Sequence, residues 1–158
     1  MSVIAIESAM AHTYAEPEDQ AIVQRCLDAA EDDAAAFIQR RFYVDQTALD
    51  AALATVPTLR ADARAAYAAA ITAADAITDQ EVKAEAIADA TARRDRALAA
   101  AQAIQDGIVI KPSIVSACLL ICGHLYTNRE DVVVGASGSA LPNGAESLLW
   151  PSRIGLGI

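Results

Sequence analysis

Aromatic side chains are scarce in this sequence. Two Phe, four Tyr and one Trp make up 4% of its 158 residues, although 54% of the residues are hydrophobic. Much of the balance is alanine, concentrated between Ala48 and Ala103. Alanine is the strongest helix former and has little side chain to bury. The composition therefore points to an all-α protein with long helices, close-packed or exposed. Basic residues are also few: 12 Lys and Arg stand against 21 Asp and Glu, a net charge of −9. That balance argues against a protein that wraps nucleic acid through phosphate contacts. An acidic wall would still let a duplex slide past. Cysteine is limited to Cys26, Cys118 and Cys122, all in apolar helical contexts. An odd count of this kind fits free, buried thiols in a reducing compartment. The chain does not open with a basic region followed by a long apolar run, so folding in the cytoplasm is expected. The most apolar stretch falls short of the about 20 residues that a membrane helix needs, so no membrane partner is expected.

The usual signatures of catalysis are missing as well. There is no glycine-rich phosphate loop, no Gly-x-Ser-x-Gly elbow and no carboxylate–histidine constellation favoured by spacing. His12 and His124 are far apart in sequence. Cys118 and Cys122 lie one turn apart, but His124 points some 200° away from Cys122 around a helix. A metal site needs three or four converging ligands, so buried structural thiols are the reading for these cysteines. No catalytic residue, cofactor or metal is expected.

What is there is organised around Pro112 to Asp131, PSIVSACLLICGHLYTNRED. Pro112 suits a first helical position. Apolar residues then fall on every side of the helix, so it is expected at the centre of a helical bundle. Before it, Val3 to Tyr14 reads as a short helix with Ile4, Ile6, Met10 and Tyr14 on one side. After the acidic break Glu16-Pro17-Glu18-Asp19, a long amphipathic helix is expected to run to about Phe42, with Arg40 and Arg41 in its last turn. Thr47 to Leu53 reads as a further short helix, ending before Pro57.

The Ala-rich segment reads as a helical hairpin. Its first arm runs from about Thr58 to Ile77, with a stripe from Leu59 through Ala63, Tyr67 and Ala70 to Ile77. Thr78-Asp79-Gln80-Glu81 has the form of a capping box and restarts the helix. The second arm carries Ile87, Ala90, Ala97, Leu98, Ala101, Ile104 and Ile108, with Gly107 as a stop. One continuous helix through Thr78 is the alternative. Arg93, Arg94 and Arg96 form a basic cluster, read as a solvated face or as a nucleic-acid contact. After the central helix come the β-branched run Val132–Val134, a small polar loop, one or two helical turns from Ala145 to Trp150, and an apolar tail. The chain is thus read as one domain, 1–158. Residues 1–47 are its N-terminal helices, 48–107 an inserted arm, 108–131 the core helix, and 132–158 a loop and extended tail.

Three segments resemble the head–tail connector, or adaptor, proteins of tailed bacteriophages. Leu119 to Asp131, LLICGHLYTNRED, is similar to that family's hydrophobic helix followed by His-Leu-Tyr-x-Asn-Arg-Glu. Ile4 to Phe42 resembles its short helix, acidic break and long helix. Leu141 to Arg153, LPNGAESLLWPSR, is similar to its Leu-Pro-x-Gly-x-x-x-Leu-Leu-x-Pro-Tyr-Arg ending, with Ser152 in place of the tyrosine. The segment 48–107 is much longer than the family's usual connection. The resemblance implies a ring, commonly twelve-fold, that sits below the portal, extends the DNA channel and docks the stopper or tail. DNA would pass through without sequence-specific binding, and the protein would reside in the virion. Trp150, Arg153, Ile154, Leu156 and Ile158 would form a portal-binding element that orders on assembly. Leu119, Leu120, Leu125 and Tyr126 would be structural core. A helical-bundle interaction protein using the Ala-rich arm, and a DNA-packaging accessory factor acting through Arg93, Arg94 and Arg96, are the alternatives.

Overall fold

A computed structural model of the chain describes residues 2–128 and 143–155. The described residues form six α-helices and one two-stranded parallel sheet, so the protein is all-α in class. The chain divides into two compact units, Met1–Gln46 with Ile108–Ile158, and Thr47–Gly107.

In the first unit, α1 spans Ile6–Thr13 and α2 spans Gln20–Ile38, with a 3-10 turn at Pro17–Asp19 between them. On α2, Val23, Leu27, Ala30, Ala34 and Ile38 are all fully buried, at the three- and four-residue spacing of one helix face. Two further helices are α5, Pro112–Thr127, and α6, Asn143–Leu149. On α5, Ile114, Ala117, Cys118, Ile121 and Cys122 are buried, and they share one hydrophobic cluster with the α2 set and with Ala9, Ala145 and Leu149. Complete burial of a side chain such as Leu27 or Ile114 contributes about 1.5–3 kcal/mol.

Polar contacts fasten the start of the chain to this core. Buried Glu31 accepts the backbone N–H groups of Val3 and Ile4, each at 2.8 Å. Ser2 Oγ donates to Asp28 at 2.5 Å, and Gln24 Nε2 reaches both residues. The Ser2 hydroxyl, with help from Gln24, holds the Asp28 carboxyl below its ordinary pKa against the opposing effect of burial.

Four expectations for this unit need correction. Tyr14 is not on the packed side of α1. It lies just beyond the helix with a left-handed φ of 52°, and it is 93% exposed. The long helix stops at Ile38, because Gln39 takes a left-handed φ of 59° and its N–H closes on the carbonyls of Ala35 and Ala36. Phe42 and Tyr43 are therefore a strand, β1, paired in parallel with Ile108–Val109, β2. Ile108 N–H donates to Arg41 O at 2.8 Å and Ile110 N–H to Tyr43 O at 2.9 Å, so Ile108 is not part of the second arm. Finally, α5 is not surrounded on all sides: Leu120 is 39% exposed, and it shares an exposed stripe with Ser116, His124 and Thr127. Its expected place in the core is taken by Ile121 and Cys122. Leu119, Leu125 and Tyr126 are partly buried against the cluster, and the Tyr126 hydroxyl donates to Asp19.

The second unit is a hairpin of α3, Gln46–Asp75, and α4, Gln80–Gln105, about 45 and 39 Å long at 1.5 Å per residue. The short helix expected before Pro57 does not end there, and Pro57 lies inside α3. Proline removes one helical hydrogen bond. The strong helix propensity of the flanking alanines and the burial of Val56 carry the helix through. The turn falls at Ala76–Asp79, and Asp79, not Thr78, caps α4 by accepting from the N–H groups of Glu81 and Val82. Arg60 donates to Gln102 and Gln105, the Arg94 guanidinium lies 4.5 Å from the Tyr67 ring centroid, and Lys83 pairs with Asp75 at 2.9 Å. Ala63 and Ala74 of α3 and Ala90 and Ala101 of α4 are the buried alanines of the two arms. The run Val132–Val134 and the loop after it lie outside the described residues.

Candidate functional site

The described part of the C-terminal segment is folded onto the end of α2. Leu149, the last residue of α6, is fully buried, and a 3-10 turn follows at Trp150–Ser152 with Pro151 inside it. Ser152, which stands where the connector pattern has tyrosine, is buried. Past the turn, Ile154 N–H donates to the carbonyl of Ile38 at 3.1 Å. That bond satisfies one of the four carbonyls that every helix C-terminus leaves open. Gly155 has a φ of +77°, and a Cβ built there would lie 2.7 Å from Gln39 Oε1. A side chain at this position would be strained by its backbone alone.

This path sets three side chains against one another. The Trp150 ring lies 6.2 Å from Phe37, tilted by 52°. The Arg153 guanidinium lies 4.9 Å from the Phe37 centroid and 5.5 Å from that of Trp150. Cation–π contacts of this kind stabilise by about 0.5–1 kcal/mol each at partly exposed sites. Arg153 Nε is buried and has no hydrogen-bond partner among the described residues. Trp150 is 48% exposed and borders an open cleft of about 350 Å³ lined by Glu146, Ser147, Trp150 and Pro151. The result is a half-exposed aromatic packed against Phe37, with the Arg153 cation beside it. Trp and Arg are enriched among the anchor residues of protein–protein contacts.

Of the expected partner-binding residues, Trp150 and Arg153 are thus brought together on Phe37, and Ile154 is tied to the end of α2 through its backbone N–H. Leu156 and Ile158 lie outside the described residues. Residues 150–155 are not a free tail, and sequence reasoning missed Phe37 and Gln39 as their receptors. The periodicity of α2 placed Phe37 on its apolar face, but nothing local marked it as the partner of a residue so distant in the chain.

The remaining candidates are the two buried thiols and the basic cluster of α4. Burial pushes the Cys118 thiol up to about 12, with the nearby Glu31 charge adding to it, and burial pushes Cys122 up to about 11. Both thiols therefore stay protonated at neutral pH, when it is the thiolate that is nucleophilic and binds metal. Among the described residues no group of three or more His, Cys, Asp or Glu converges as metal ligands, and no helix is long and apolar enough to cross a membrane. In the basic cluster, Arg94 is engaged by Asp95 at 2.7 Å and by Tyr67, which leaves Arg93 and Arg96 as the exposed cations. Comparisons of the chain with protein-family models, with curated proteins and with solved structures find no match.

Proposed function

We propose that this chain is a structural, non-enzymatic subunit that links phage head to tail. It would assemble as a ring below the portal, around the DNA channel, and present a docking surface for the stopper or tail. One observation carries the reading. The three segments with the connector pattern are widely separated in sequence, yet all contribute to the first unit, where α1, α2, α5 and α6 pack together. The segment foreign to that pattern forms the other unit. On this reading the Phe37–Trp150–Arg153 platform is the portal-facing anchor, and the net charge of −9 suits a channel wall along which a duplex slides. The same charge, with Arg94 occupied by its neighbours, counts against the DNA-packaging alternative.

The test is to mix the full chain with the portal protein of the same phage and weigh the complex by native mass spectrometry. The expected result is a portal ring carrying many copies of this chain. Trp150→Ala with Arg153→Ala is expected to weaken attachment at least about tenfold, the loss of one interface anchor, with helix content unchanged by circular dichroism. A chain that never associates with the portal ring sinks the proposal.

A further inference from the structure

We infer that the hairpin is a self-association surface, on which α4 pairs antiparallel with α4 of a second copy of this chain. The charges of α4 are segregated along its length. Its exposed acids Glu81, Glu85 and Asp89 occupy the N-terminal half, and its exposed cations Arg93 and Arg96 the C-terminal half. The charges that break this order are neutralised within the hairpin: Lys83 pairs with Asp75, and Asp95 pairs with Arg94. Glu81, Glu85, Asp89 and Arg93 have no ion-pair partner among the described residues. The helix dipole favours Glu81 in the first turn, but its influence fades within that turn. It does not account for the mid-helix switch from Asp89 to Arg93.

The same face is built for close approach. Glu85, Ala88, Asp89, Ala92, Arg96 and Ala99 share one side of α4 by helical periodicity, and all are exposed. The small side chains between the charges let a second helix come near. Beside them runs a cleft of about 250 Å³, floored by alanines of both arms and edged by Arg93, which the hairpin's own side chains leave unfilled. A parallel pair of α4 helices would set acid on acid and base on base. An antiparallel pair with its two-fold axis level with Thr91 sets Asp89 against Arg93 of the second copy, twice. It also brings each Glu85 towards the opposing Arg96. An isologous contact is self-complementary in this way, whereas neighbours around a cyclic ring meet through heterologous surfaces. The pair therefore belongs to the free protein, and the inference does not rest on the connector reading.

The test uses two charge reversals of the full chain. Arg93→Asp turns the facing pair into Asp against Asp, and Asp89→Arg turns it into Arg against Arg. Both positions are exposed and without ion pairs, so helix content should not change. Sedimentation equilibrium of the unaltered chain should show a dimer that weakens at about 1 M salt, where the screening length falls to about 3 Å. Each variant alone should dissociate about tenfold more readily, the sum of two pairs lost and two repulsions gained. Mixing the two variants should restore the dimer as a mixed species. In it, Asp89 of the Arg93→Asp chain faces Arg93 of the Asp89→Arg chain, and the two introduced side chains face each other with opposite charge. An unaltered chain that stays monomeric up to about 1 mM, or variants whose mixture is no tighter than either alone, overturns the inference.

Discussion

Two thiols are buried in the core of the first unit. Cys118 and Cys122 are fully inaccessible, and burial raises both from the ordinary thiol value of 9.0, to about 12 and about 11. The sign of the pH effect follows. A group whose folded pKa is raised adds stability that is complete below its unfolded pKa and is lost as pH climbs through the folded value. The unfolded thiol begins to ionise near pH 9, while the folded one resists. Stability should therefore fall between about pH 9 and 12, by at most about 1.4 kcal/mol per pH unit for each thiol. Cys118→Ala should reduce that slope by about half. The same variant should cost about 1 kcal/mol at pH 7 through lost packing. Urea denaturation of both chains at pH 7, 9 and 10 checks this, and equal alkaline slopes would show that the thiols do not carry the effect.

At the scale of elements, α3 contains the one arrangement that opposes its own propensity. Pro57 sits in the interior of the 30-residue helix, where a proline costs about 3 kcal/mol relative to alanine. Pro57→Ala restores the N–H that can reach the carbonyl of Leu53. It should stabilise the hairpin by about 1–3 kcal/mol, seen as a higher thermal midpoint with unchanged helix content. A lower midpoint would mean that the local shape imposed by the proline is needed.

The same helix shows what could be read from sequence and what could not. Alanine-rich arms, a restart near Thr78 and a stop at Gly107 were all legible, because propensity and capping act over a few residues. Pro57 marks a break in the sequence pattern, because tertiary burial of Val56 leaves no local mark. Strands β1 and β2 were not legible either. Each is two residues long, too short for an alternating pattern, and their pairing depends on left-handed Gln39 ending α2. At the candidate site, Trp150 and Arg153 stood out by composition and motif. Their receptor, Phe37, had to await the fold.

For the whole molecule, the question is how far one unit depends on the other. The cluster of buried residues that includes Leu27, Ile114 and Leu149 contains none from 47–107. The strand pair also brings the two ends of that segment near each other, since Ile108 lies beside Phe42 across a spacing of about 4.8 Å. Gln46 is four residues past Phe42, a reach of at most about 14 Å. A Gly/Ser linker of about eight residues has a root-mean-square span of about 16 Å, enough to replace Thr47–Gly107 without pulling β1 from β2. The shortened chain should therefore keep the first unit intact. It is expected to unfold in one cooperative transition and to retain the fluorescence of Trp150 packed on Phe37. On the connector proposal it should still attach to the portal ring. On the self-association inference it should be monomeric at concentrations where the full chain is dimeric. A shortened chain that loses cooperative unfolding would show that the hairpin is required to complete the core. One that folds but no longer attaches would move the portal-binding surface from Trp150 and Arg153 to the arm.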